Sequence, residues 1–183
     1  DMHPYREYPK RDSLTISYFG GLHLNRWRMI VRLAELINGR AQIEVYSMNP
    51  PAKKIAEQFE RVGIKFCGGV TGQKLQEKIY GSDILLHIES DNRYMRRLTS
   101  LSVSTKIPEY LVSGRPILGF GPAEVASMKL LTDNDIGFFI SSEENNSEII
   151  VKLNRLLDNY QLRSEVGQRG YDYAIQNFDN EKV

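Results

Sequence analysis

The sequence of 183 residues holds one cysteine, Cys67, which excludes an internal disulfide and suits a reducing compartment, the cytoplasm being the expectation. It has no uninterrupted apolar run near the ~18 residues that a spanning helix needs. It also lacks a dominant charge: 24 Lys and Arg against 23 Asp and Glu leave a formal net charge of +1. That balance gives no basic footprint for nucleic acid, so none is expected as a partner. No His, Asp or Glu cluster stands at metal-ligand spacing, so neither metal nor organic cofactor is expected. Internal repeats and low-complexity segments are missing as well. What the chain does have is 41% hydrophobic and 26% charged residues, the composition of a globular domain long enough to bury a sheet between two layers of helices.

The opening ten residues are polar, carry Pro4 and Pro9, and have no apolar signal-peptide core; the reading is an interdomain linker over 1–12 and a domain over 13–183. Within that domain short β-rich runs alternate with longer helical patterns. Strands are expected at 14–19, 42–46, 64–66, 83–87, 116–120 and 137–140. Between the first two, Trp27, Ile30, Val31, Leu33, Ala34 and Ile37 recur at helical spacing and Asn38-Gly39 ends the helix. Further helices are expected at 51–62, 72–80 and 105–112, then around Ile149 to Leu157 and over 162–175. Residues 89–103 read as a long loop carrying Arg93, Arg96 and Arg97. This is an α/β pattern: a Rossmann-like, doubly wound parallel sheet of about six strands, which binds ligands beyond the carboxyl ends of its strands.

Two segments on those loops could carry chemistry. The first runs from Tyr18 through Gly20, Gly21 and His23 to Arg26, a strand passing through paired glycines into a helix. Such a turn lets an anion approach backbone N–H groups at a helix start, with Arg26 as a charged fork; a tight turn with no ligand fits the same residues. A dinucleotide site does not fit: the G-x-G-x-x-G spacing is absent, and Tyr46-Ser47-Met48-Asn49 stands where a ribose-binding acid would follow the second strand. The second segment is Ser104-Thr105-Lys106-Ile107-Pro108-Glu109. With Thr105 as N-cap, Pro108 falls in the first turn, and the amides of Lys106 and Ile107 are expected to be free for an anion. Glu109 then stands about one turn, ~5.4 Å, further on. That separation matches the step from a diphosphate to ribose hydroxyls, and equally an exposed Lys-x-x-Glu surface pair.

Lys106-Ile107-Pro108-Glu109-Tyr110-Leu111, followed by Ser113-Gly114-Arg115-Pro116-Ile117-Leu118, resembles the Lys-x-x-Glu-Tyr-Leu-Ala-x-Gly-x-Pro-Val segment of group 1 (family 4) glycosyltransferases, which have the two-Rossmann-domain GT-B architecture. Gly20-Gly21-Leu22 is similar to the Gly-Arg-Leu of that family, with Arg26 falling where the family has a Lys. Phe66-Cys67-Gly68-Gly69-Val70 is similar to its Phe-x-Gly-x-Val loop, and Tyr80-Gly81-Ser82-Asp83-Ile84 to its Tyr-x-x-Ala-Asp-Val run. The resemblance implies a C-terminal donor-binding domain that lacks its N-terminal acceptor domain. It further implies a metal-independent, retaining sugar transfer from a nucleotide diphosphate sugar to an acceptor hydroxyl, in polysaccharide biosynthesis, with any peripheral contact at the inner membrane face made through the other half. By the same resemblance Glu109 would hold the ribose. Arg26 with the Gly20 and Gly21 backbone would hold the diphosphate. Ser104, Thr105 and Lys106 would lie on its phosphate side, and Gly68, Val70 and Thr71 around the base. No catalytic residue is assigned, since the base comes from the other domain. The sequence departs from the family at Gly21, in place of the Arg, and at Leu101, in place of a second Glu. A sugar-nucleotide epimerase of similar architecture and a non-catalytic nucleotide-binding module are the alternatives.

Overall fold

The structure, a computed structural model, describes residues 7–178. Along the chain these form β1 (Thr15–Phe19), α1 (Arg26–Ile37), β2 (Gln42–Tyr46), α2 (Lys53–Arg61), β3 (Lys65–Phe66), α3 (Gly72–Gly81) and β4 (Ile84–Ile88). There follow α4 (Arg93–Thr99), α5 (Lys106–Val112), β5 (Ile117–Gly121), α6 (Ala126–Asp133), β6 (Phe138–Ser141), α7 (Asn146–Asp158) and α8 (Tyr160–Phe178). The six strands form one parallel sheet in the order β3-β2-β1-β4-β5-β6, the doubly wound arrangement expected.

Alternating side chains of the buried strands serve two cores. In β4, Ile84, Leu86 and Ile88 pack with α1, α7 and Phe59 of α2, while Leu85 faces the other way toward α3, α5, α6 and α8. Strand β1 is central: Tyr18 pairs with Val45 on one side and Leu86 on the other. Helix starts and stops follow local chemistry. Asn145 and Glu148 close a capping box at the start of α7. Buried Arg163 donates to the carbonyls of Leu156 and Leu157 at its end.

Three features depart from the sequence reading. Residues 93–99, taken as loop, form α4, because the Asn92 side chain accepts from the amides of Tyr94 and Met95 and nucleates the turn. Helix α6 has no counterpart in the expected pattern. Tyr8, within the segment read as a linker, is 1% exposed; its hydroxyl donates to the Asp83 carbonyl at 3.1 Å and accepts from Arg163 Nε at 2.9 Å. Residues 1–6 of that segment lie outside the described residues.

Helix α8 packs on the turn after α5 at Gly167, where a Cβ would stand 2.2 Å from the Gly114 carbonyl oxygen. Backbone cannot yield there as a side chain would. Gly167→Ala is therefore expected to cost about 1–3 kcal/mol of stability, read as a lowered urea midpoint at unchanged slope.

Candidate functional site

The strand order reverses between β1 and β4, and crossovers leave those two strands in opposite directions. The crevice this opens at the carboxyl edge is lined by two adjoining cavities. The larger, about 400 Å³, lies between the turns after β1 and β2 and the start of α3, and includes Gly20, Gly21, Met48, Val70, Thr71 and Leu75. The smaller, about 190 Å³, lies between β1, β4 and α5 and includes Tyr18, Arg26, His87, Ser104 and Thr105. Phe19, Gly20 and Lys106 line both.

Local sequence explains the shape. The Tyr18 hydroxyl donates to the Gly21 carbonyl at 2.8 Å, pinning the turn after β1. Leu24 and Asn25 then take left-handed backbone angles (φ 58 and 60) before α1 begins, a strained turn of the sort that clusters at functional sites. No side chain caps α1 or α3, and neither first turn carries an acid. Both helices thus present the positive ends of their dipoles at the cavities. Across the larger one, the ring of Phe19 stacks on Tyr46, centroids 4.7 Å apart. Gly68 makes the turn with a left-handed φ of 76, and its carbonyl accepts from the Ser47 amide at 3.1 Å.

Of the ten residues singled out from the sequence, eight line the crevice. Gly20, Gly21, Val70, Thr71 and Lys106 border the larger cavity; Arg26, Ser104 and Thr105, again with Gly20 and Lys106, border the smaller. Gly68 lines neither, acting through its turn. Glu109 also lines neither, but its Oε2 accepts from Lys106 Nζ at 2.9 Å. The expectation of free amides at Lys106 and Ile107 is corrected. The Lys106 N–H donates to Ser104 Oγ at 3.3 Å and the Ile107 N–H to the Ser104 carbonyl at 3.2 Å. Thr105 already has helical angles (φ −64, ψ −12) and makes no side-chain cap, so Ser104 takes the capping role. The start of α5 offers side chains to a ligand, not those two amides.

The structure adds a buried carboxylate to this corner. Arg26 Nη2 lies 3.2 Å from both oxygens of Glu89, which follows β4 and is 2% exposed. His87, two residues earlier, places Nε2 3.7 Å from Glu89 Oε1. No hydrogen-bond partner for that Nε2, or for Arg26 Nε, exists among the described residues. Burial, followed by the Arg26 charge, pushes the His87 imidazole down to about 3, and burial pushes the Tyr18 phenol up to about 12. Both stay neutral near pH 7. Nothing but position at a strand end could have marked His87 in the sequence, and Phe19, Met48 and Leu75 carry no signal there beyond their apolar character. Among the described residues, no group of three His, Cys, Asp or Glu side chains comes together as a metal-ligating cluster.

No family model and no curated protein matches the sequence. Solved structures match in fold. WaaG, a glycosyltransferase involved in lipopolysaccharide biosynthesis, superposes with a TM-score of 0.68 at 16% identity over 90% of this chain and 43% of its own. HepE from Anabaena, crystallised with UDP, gives 0.69 at 16% identity over 92% of this chain and 45% of its own. Sucrose-phosphate synthase from Thermosynechococcus elongatus gives 0.66 at 14% identity over 93% and 43%. The chain spans less than half the length of each, and what it shares with them is the Rossmann-like α/β fold.

Because His87 is neutral when folded and takes a proton near its ordinary 6.5 when unfolded, protonation favours the unfolded chain between those values. Its contribution to stability is complete above about pH 6.5 and falls by up to about 1.4 kcal/mol per unit as pH drops toward 3. His87→Gln is expected to flatten that slope in urea unfolding followed from about pH 7 to about pH 4. An equal slope in both proteins would contradict the assignment.

Proposed function

We propose that this chain is the donor-binding half of a glycosyltransferase that moves a sugar from a nucleotide diphosphate sugar to an acceptor hydroxyl. One observation carries the reading: the turn after β1, Arg26 and the Ser104–Thr105–Lys106 side chains converge on a single crevice at the point of strand-order reversal, the position where α/β sheets of this order take nucleotides. The fold shared with glycosyltransferases, among them one crystallised with UDP and again with UDP and glucose, supports it.

In this reading the base lies in the larger cavity, flanked by Val70 and Thr71, with Gly68 shaping the loop. The apolar side chains of Phe19, Met48 and Leu75 among its lining suit a planar ring, and backbone groups read its edge. The diphosphate spans the Gly20-Gly21 turn and the smaller cavity, held by Arg26, Lys106 and the hydroxyls of Ser104 and Thr105. Glu109, released from Lys106 once phosphate takes that cation, accepts the ribose hydroxyls; it is 38% exposed and free to turn. As the sugar leaves, these donors stabilise charge growing on the departing phosphate oxygen. The acceptor and its base belong to a second domain. Retention of anomeric configuration and independence from metal rest on the family resemblance of the motifs.

Titration calorimetry with UDP, GDP and ADP tests the reading. One of the three is expected to bind, and Glu109→Ala to weaken it about ten- to a hundredfold, as loss of hydrogen bonds to a charged group implies. Absence of binding to all three, or binding indifferent to Glu109→Ala, would remove the ribose assignment.

A further inference from the structure

Arg26 is the cation at the mouth of the smaller cavity, yet the protein neutralises it before any ligand arrives. Glu89 sets both carboxylate oxygens 3.2 Å from Arg26 Nη2. The Glu89 side chain is 3% exposed, against 19% for Arg26, so the acid lies behind the cation and has no route into solvent. His87, the other basic group in that corner, makes no hydrogen bond through Nε2 among the described residues and adds no positive charge there. Lys106 is also paired, with Glu109, but those side chains are 34% and 38% exposed. That pair stands at the surface, whereas the Arg26–Glu89 pair is largely buried. A carboxylate fixed this close persists when phosphate binds and repels it. Burial of an acid beside a phosphate-binding cation costs desolvation and affinity together, which calls for a purpose.

We propose that Glu89 is a specificity-determining counter-charge that lets the crevice hold the sugar-bearing donor while weakening its grip on the spent nucleoside diphosphate. The inference rests on the donor-site reading and deepens it. In the transfer, the acceptor hydroxyl oxygen bonds to the sugar C1 and its proton passes to the base of the second domain and from there to water. The C1–O bond to the β-phosphate breaks with its electron pair left on phosphate. The product therefore carries one more negative charge than the donor near neutral pH. Repulsion from a fixed carboxylate scales with ligand charge, so it falls harder on the product. Arg26, which lines the smaller cavity, keeps its remaining guanidinium donors for the ligand, while Glu89 trims the net charge that those donors present. A site with Arg26 and Lys106 both uncompensated would bind the diphosphate most tightly and release it slowly, which limits turnover in many enzymes.

Calorimetry on the chain with UDP and with UDP-glucose, under one buffer and salt condition, reads the effect. Glu89→Gln keeps the shape and an acceptor for Arg26 but removes the charge. It is expected to tighten UDP more than UDP-glucose, raising the preference for UDP by about tenfold, or about 1.4 kcal/mol. Glu89→Asp keeps the charge and is expected to keep the wild-type preference. An unchanged preference in Glu89→Gln, or equal weakening of both ligands, would show that the acid merely orients Arg26 and would overturn the proposal. A shifted preference in Glu89→Asp overturns it too, even if Glu89→Gln fails to fold. Should the wild-type chain bind neither UDP nor UDP-glucose while binding GDP or ADP, the same comparison applies to that nucleotide and its glucose conjugate. Absence of binding to every one of them fells the donor-site reading first and this role with it.

Discussion

A parallel sheet has to send each crossover over one face or the other, and in this chain the direction changes at β1. Strands β2 and β3 are reached on one side, β4, β5 and β6 on the other, so the helices that follow β1 and β4 part from each other and leave a crevice at the carboxyl edge. The two ends of the Arg26–Glu89 pair come from either side of that crevice, Arg26 from the start of α1 and Glu89 from the end of β4. The cavities beside them exist because no side chain of the sheet can fill a gap between diverging helices.

The electrostatics of the crevice follow from the same geometry. Parallel strands deliver the starts of the helices that directly follow β1 and β3 to one edge, so the positive dipole ends of α1 and α3 gather beside Arg26 and Lys106. An edge so positive, left empty, is costly to bury, and the chain answers with Glu89 for Arg26 and Glu109 for Lys106. The two acids differ in burial, and in the proposed donor site that difference separates a permanent counter-charge from one that a ligand displaces. His87, held neutral by burial, and Tyr18, whose phenol is pushed further above neutral pH by burial, fill the polar corner without altering its charge.

Much of this was legible along the chain. The strand runs at β1 and β2 and the apolar stripe of α1 need only local periodicity, and the structure reproduces them to within a residue. Glycines, a basic residue and a Ser-Thr-Lys run on loops after strands are likewise visible as types, which is why Gly20, Arg26 and Thr105 could be singled out. Helix α4 was hidden because it is seven residues long and its start depends on a single Asn92 cap. The amides of Lys106 and Ile107 were misjudged because one residue of helical backbone at Thr105 shifts the cap to Ser104. Such a shift is too small for propensity to resolve.

By itself the sequence determined the alternation of strands and helices, the parallel sheet, and the loops on which polar residues would collect, since each depends on neighbours within a few residues of one another. Tertiary structure alone decided the pairings across long separations. It set Arg26 against Glu89, 63 residues away, and Tyr8 against Arg163, 155 residues away. The reason is physical: burial and charge pairing depend on which elements the fold brings together, and a residue in sequence carries no record of what will stand opposite it.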